Sequence, residues 1–195
     1  MPRVYDMTHR ARRTERTAER IAASAEALLA AHPIGEVTLQ AIADGAGVSV
    51  QTVLRHMGSR DGCIDAVGHR VAARVEAQRS RSAPGDVDAA IGDLLEHYEA
   101  EGRLVLNLLA QERSGEALAQ RAAQQGREVH RAWVQRTFAP RLPDRERGTI
   151  DALVAATDLY LWKLLRLDLG RSPAQARSVM TRLVRGVLEA PCPES

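Results

Sequence analysis

Between Thr38 and Asp61 the chain reads TLQAIADGAGVSVQTVLRHMGSRD, and its polar side chains suit nucleic-acid binding better than covalent chemistry. Gln51 and Arg55 are spaced to share one face of any helix that carries both. A carboxamide can pair with adenine N6 and N7, and a guanidinium with guanine O6 and N7, each through two hydrogen bonds. Val50 and Thr52 offer methyl groups to thymine, and Leu54 can pack on the same methyl. Thr38, Ser49, His56 and Arg60 are placed for phosphate oxygens, contacts that set register rather than sequence. Two competing readings stand beside these: Arg55 as a solvated surface charge, and His56 as a packing residue bonded to backbone.

Other chemistry is not signalled. The six histidines, His9, His32, His56, His69, His97 and His130, include no pair at the i,i+4 spacing of helical metal ligands. There is no glycine-flanked nucleophile, phosphate-cradling glycine loop or dinucleotide fingerprint. No catalytic residue, metal or cofactor is therefore expected, and the chain reads as a non-enzyme.

The groove-reading side chains need a short helix held rigidly by a second one. Thr38 can cap a helix from Leu39 to about Asp44, and Ser49 one that runs to Met57. Ala43 lies where the two would cross, and a larger side chain there would push them apart. Gly47 falls in the turn, where positive φ favours glycine. Val48 and Val53 lock the second helix onto the first, with Ile42, Ala46 and Met57 completing the small core. Together these constraints describe a helix-turn-helix. An isolated helix, Thr14 to His32, precedes it, with Ala18, Ile21, Ala22, Ala25, Leu28 and Leu29 at helical spacing. Gly58 and Ser59 stop the reading helix and start the next, about Asp61 to Arg79.

This stretch resembles the tetracycline-repressor (TetR) family, on Thr38, Ile42, Ala43, Gly47, Val48, Ser49, Thr52, His56, Ser59, Arg60 and Asp61. The match covers about Thr14 to Val67, and beyond it the resemblance is one of helix layout. The family usually has an aromatic at the position of Leu54, Phe or Tyr at Met57 and lysine at Arg60. Met57 and Arg60 preserve the chemistry, whereas Leu54 removes a phosphate-bonding hydroxyl. The resemblance implies an all-α fold of about nine helices: an N-terminal three-helix DNA-binding domain with the helix-turn-helix, and a C-terminal helical bundle for ligand binding and dimerisation. The expected division is residues 1–60 for DNA and 61–195 for effector and partner.

Composition agrees with a helical protein. Of 195 residues, 45% are hydrophobic and only 3% aromatic, so Ala, Leu and Val must build the core, which suits helices better than sheets. The net charge of +2 excludes a general polycation. Arg3, Arg10, Arg12 and Arg13 against Asp6 make either a phosphate-tracking arm or a solvated tail. Cys63 and Cys192 form no motif, the N-terminus is arginine-rich rather than apolar, and no apolar run approaches the ~20 residues that span a bilayer. The expectation is a cytoplasmic protein with no membrane partner.

Ser80–Asp86 (SRSAPGD) is the best compositional candidate for a boundary. Helices follow at about 87–100, 103–111, 116–138, 145–169 and 173–188, with Pro140 and Pro143 marking a loop and Ser172-Pro173 a helix start. The last carries a wide apolar stripe and the one before it is apolar on more than one face, which suits a two-fold dimer through Leu153, Leu161, Leu164, Val179, Met180, Leu183, Val184 and Val187, or a fully buried central helix in a monomer. Tyr98, Asn107, His130, Trp133, Asp158 and Trp162 are candidates to line an effector pocket. Asp158 and Trp162 would share a face and receive a cationic or hydrogen-bonding ligand; Trp as core and Asp as a cap is the plainer alternative. The functional expectation is a sequence-specific DNA-binding regulator, a repressor released from a palindromic double-stranded operator by an unknown small-molecule effector. Two alternatives remain: a DNA-binding dimer without an effector, and a helical ligand-binding protein or enzyme with a vestigial helix-turn-helix.

Overall fold

The computed structural model describes residues 4–142 and 147–190, and the side chains of 11–142 and 148–190. Those residues are helical and hold no strand, as expected. Arg3, Pro143, Arg145 and Cys192, and the side chains of Asp6 and Arg10, lie outside the described residues.

The chain folds as two compact units. The first holds the chain up to Ala72 together with Asn107–Ala122; the second holds Ala73–Leu106 and the chain from Ala123 onward. Three helices, α4 (Arg60–Arg79), α5 (Val87–Ala110) and α6 (Ala117–Phe138), contribute residues to both.

In the first unit, α1 (Val4–Ala31) begins well before Thr14, so the basic segment is helical from Val4. Its inward face is Ile21, Ala22, Ala25 and Leu29, the three- and four-residue spacing of one helical stripe. Against it pack α2 (Leu39–Ala46) and α3 (Val50–Met57). Ile21, Leu29, Ile42 and Val53 are fully buried, and burying each side chain contributes roughly 1.5–3 kcal/mol. Ser24 Oγ donates to Ile42 O at 2.9 Å, tying α1 to α2. The end of α1 leaves carbonyls without intrahelical partners. Asn107 Nδ2 satisfies two of them in this region, Leu29 O at 2.7 Å and His32 O at 2.9 Å. Gln111 Oε1 accepts from the Ile34 N–H at 2.6 Å.

The second unit departs from the sequence expectation in three places. First, α5 is one helix where two were expected. Gly102 does not break it; the glycine is there for close approach, since a Cβ would lie 2.7 Å from Trp162 Cζ3. Second, the helix expected over 145–169 is interrupted, giving α7 (Arg147–Ala156) and α8 (Leu159–Lys163), with α8 running into a π-turn at Leu164–Asp168. Asp158 leaves the helical conformation, and its carboxylate accepts the Tyr160 N–H at 2.7 Å as the cap of α8. Third, Ser80–Asp86 turns inside this unit rather than at its edge: the Gly85 N–H donates to Thr137 O at 2.7 Å, and Arg141 Nε donates to Gly85 O at 3.1 Å. The last helix, α9 (Pro173–Glu189), starts as expected, with Ser172 and Gln175 forming a reciprocal capping box. It packs on α7 through its stripe Ala176, Met180 and Val184, all buried.

Candidate nucleic-acid interface

Each end of α2 and α3 is fixed by a local bond that the residue types require. Thr38 Oγ1 accepts the Ala41 N–H at 3.1 Å to open α2. Gly47, at φ 63°, closes it in the left-handed region, and the following Val48 N–H donates to Ala43 O at 3.0 Å. Ala43 is fully buried at this crossing. Ser49 Oγ accepts the Thr52 N–H at 3.2 Å and lies 3.0 Å from Thr52 Oγ1. Gly58 closes α3, and Ser59 Oγ accepts the Gly62 N–H at 2.9 Å to open α4. A Cβ on Gly62 would strike the Met57 carbonyl, so this return of the chain is open to glycine alone.

Val53 is the buried anchor of α3. Gln51, Leu54 and Arg55 face outward, and Val50, Thr52 and His56 are half-buried along the edges of that face. Ser49 and Thr38 are exposed at the helix starts. The helix therefore presents an amide, an isobutyl group and a guanidinium on one side, with its packing side turned away. A rod of this kind fits a major groove.

Residues 21–67 match the family model for bacterial regulatory proteins, tetR family. The fold is TetR-like. The TetR-family transcriptional regulator SCO4454 from Streptomyces coelicolor superposes with a TM-score of 0.70 at 21% identity, over 89% of this chain and 95% of that one. The multidrug binding protein EbrR, solved with imidazole, gives 0.56 at 21% identity, over 91% of each chain. The ketosteroid transcriptional regulator KstR2 of Mycobacterium tuberculosis gives 0.53 at 18% identity, over 88% of this chain and 92% of that one. Comparison with curated protein sequences gives no match.

Within this TetR-like frame, one residue expected at phosphates has another task. Arg60 Nε donates to Val37 O at 2.6 Å and Nη2 donates to Ile34 O, so the guanidinium pins the segment before α2 to the start of α4. Its remaining ion pair, to Asp61 at 3.3 Å, is exposed on the acid side.

The expected pocket residues do not all come together. Asn107 belongs to the first unit, where its amide bonds the end of α1. Asp158 caps α8, and its charge acts on the nearby Tyr98. Trp162 is buried, and its Nε1–H donates to Glu99 Oε1 at 2.8 Å; Glu99 is held by Arg166 at 2.6 Å, which lowers its carboxyl pKa. Tyr98, His130 and Trp133 do assemble, around a residue that sequence reasoning missed. Arg79 is buried, with its guanidinium 5.1 Å from the Trp133 ring centre and 5.8 Å from that of Tyr98. Arg79 Nη1 lies 3.4 Å from His130 Nδ1. On the other side of the imidazole, His130 Nε2 is 3.1 Å from Thr157 Oγ1. The Thr157 hydroxyl has one proton, and it goes to Leu153 O at 2.7 Å. Thr157 therefore accepts from His130 Nε2–H, and Nδ1 turns its lone pair to Arg79. Burial and the nearby Arg79 hold His130 neutral, with its pKa lowered to about 4. His97, buried in the same unit, is lowered to about 3 for the same reasons, in the same order. Burial likewise lowers Arg79 and raises Tyr98.

The expected partner-facing residues also divide. Leu153, Met180 and Val184 are fully buried within the chain itself and cannot meet a second copy. The packing of α7 on α9 consumes them. Leu164 and Leu183 remain exposed, and Leu161, Val179 and Val187 are half-buried. Tyr160, Leu167 and Leu169, which the sequence reading did not single out, are exposed as well. Val179, Leu183 and Val187 recur every fourth residue along α9, a second stripe beside the buried one. Among the described residues no group of His, Cys, Asp and Glu could hold a metal ion, and no helix is long and apolar enough to cross a membrane.

Proposed function

We propose that this chain is a sequence-specific transcription regulator, a homodimeric cytoplasmic repressor that leaves a palindromic operator when a small-molecule effector binds. The observation that carries the reading is the single-sided display on α3: Val53 buried, with Gln51, Leu54 and Arg55 outward on a helix capped at both ends. Gln51 reads adenine, Arg55 reads guanine, and Val50, Thr52 and Leu54 meet thymine methyls. Ser49, Thr38 and His56 sit against phosphates. The role is binding rather than catalysis.

In functional terms, residues 1–60 read DNA and 61–195 carry the effector and partner surfaces. A single recognition helix binds weakly, and a two-fold dimer reads two half-sites. Tyr160, Leu164, Leu167, Leu169 and Leu183 give an apolar surface of the kind a dimer covers. Two proteins of similar fold are named for a multidrug and a ketosteroid role, which supports an effector for this one. The effector acts through α4, one continuous helix from Arg60 to Arg79 and so about 30 Å long. A shift of that helix on binding lowers the affinity for the operator by changing the populations of two states.

Selection of bound fragments from random double-stranded DNA by the purified protein tests this directly. The proposal expects an inverted repeat whose half-sites are about one helical turn, or a multiple of it, apart. Recovery of fragments with no common sequence would overturn it.

A further inference from the structure

The buried cluster around Arg79 has more donors than acceptors. Arg79 is 7% exposed, and among the described residues no carboxylate lies within ion-pair distance of it. His130 Nδ1 lies a long 3.4 Å from its Nη1, the Tyr98 hydroxyl also hydrogen-bonds with it, and Glu76 favours its charge only from beyond contact. Arg79 Nε and Trp133 Nε1 are buried without a partner, and both are donors only; His97 Nδ1 is buried without one too. A buried cation with no ion-pair partner in contact is costly to hold in a folded protein, and unsatisfied buried donors add to that cost. Such an arrangement persists where it has a task other than stability.

The guanidinium lies over the rings of both Trp133 and Tyr98, which attract it but supply no counter-charge. Phe138 packs edge-on to Trp133 at 5.8 Å, and Trp162 lies 6.1 Å from Tyr98, so the surroundings are apolar. One positive charge, two neutral imidazoles and spare N–H donors in an aromatic setting fit one monovalent, two-oxygen acceptor. A phosphate dianion would keep a charge unmatched, and a cation would be repelled.

We propose that the second unit holds an anion site centred on Arg79, with Trp133 and His130 beside it, which binds the carboxylate of an apolar organic acid. On the regulator reading given above, which this inference requires, that acid is the effector. The sign is opposite to the one expected from Asp158 and Trp162. The carboxylate takes the bidentate fork of Arg79, the pairing for which a planar guanidinium is suited, and the apolar body lies against the rings.

The test uses the full chain and charge-matched probes: benzoate and hexanoate, their primary amides, benzamidinium, and chloride. Binding is followed by calorimetry and by tryptophan emission, since Trp133 and Trp162 are the only tryptophans. The carboxylates are expected to bind at least tenfold more tightly than their amides and than chloride, with no binding of benzamidinium. Arg79→Met is expected to remove that preference while keeping its fold, judged by thermal unfolding, and its DNA binding. Equal affinity for acid and amide, binding of chloride alone, no binding by either carboxylate, or an unchanged preference in Arg79→Met would each overturn the site. The wild-type panel decides the matter even where the variant does not fold. Sequence-selective DNA binding is measured separately with no acid added. If it is present and the carboxylates do nothing, the anion site fails alone; if it is absent, the regulator reading fails whatever the acids do.

Discussion

Replacing Arg60 with alanine separates a structural role from a DNA-binding one. In the folded chain its guanidinium donates to Val37 O at 2.6 Å and to Ile34 O, and its side chain is 28% exposed. Hydrogen bonds from a charged donor contribute about 1.5–3 kcal/mol each. Water reaches part of this site and re-solvates the freed carbonyls, which reduces the loss from two bonds to about 2 kcal/mol. The exposed Asp61 pair adds little. For a chain of this size that lowers Tm by roughly 4–8 °C. Thermal and urea unfolding followed by circular dichroism give the stability, and anisotropy titrations at several salt concentrations give the DNA affinity. The expected result is lower stability with the salt dependence of binding unchanged. A phosphate-contacting Arg60 behaves in the opposite way: stability within about 0.5 kcal/mol of wild type, and a log–log salt slope reduced by about 0.9. That outcome would refute the reasoning.

Other consequences follow from particular contacts. Gly102→Ala gains about 1 kcal/mol of helix propensity, but its methyl meets the buried Trp162 ring at 2.7 Å, an overpacking that costs about 1–3 kcal/mol. Net destabilisation with altered tryptophan emission is expected, whereas Gly126→Ala, with nothing within 4 Å of its Cβ, should stabilise by up to about 1 kcal/mol. His97 and His130, with folded pKa values near 3 and 4 against 6.5, leave stability untouched above pH 7, where folded and unfolded chains are both neutral. Below pH 6.5 the unfolded chain takes up protons that the folded one refuses, so stability falls, by about 2 kcal/mol for each histidine at pH 5. Urea unfolding at pH 7.5, 6 and 5 should show this loss, and His130→Asn should remove about half of it; an unchanged slope would count against a neutral buried His130. Leu164→Asp with Leu183→Asp, at positions 45% and 44% exposed, should turn a dimer into a folded monomer in sedimentation experiments; a wild-type monomer would remove the proposed interface.

The helix-turn-helix was legible in the sequence because its determinants are local. Thr38, Gly47 and Ser49 act on backbone groups within a few residues of themselves, so residue type and spacing specify the bonds that the structure forms. The same local logic located the start of α9 at Ser172. The misreadings involve residues whose purpose is tertiary. Gly102 looks like a helix break until the Trp162 ring is placed against it. Asp158 reads either as a pocket acid beside Trp162 on one continuous helix or as a cap, and the cap, the plainer reading, is the one that forms. Arg60 resembles a phosphate ligand by type, and only the positions of the Ile34 and Val37 carbonyls redirect it. Arg79 stands just before a polar SRSAPGD segment and reads as a solvated helix end; nothing local shows that Tyr98, His130 and Trp133 close over it. The second stripe of α9 was half legible, because periodicity places Val179, Leu183 and Val187 on one face but does not say which of two apolar faces α7 covers.

The claim on which the functional account rests is that α3 reads bases, and Arg55 tests it most directly. Affinities of wild type and Arg55→Ala are compared on a selected operator and on the same duplex with one guanine of each half-site replaced. The account predicts that wild type loses roughly 1–3 kcal/mol on the replaced duplex when the guanine is the one Arg55 pairs with, and that Arg55→Ala no longer distinguishes the two. An Arg55→Ala loss of equal size on both duplexes, or a wild-type affinity indifferent to base sequence, would contradict it.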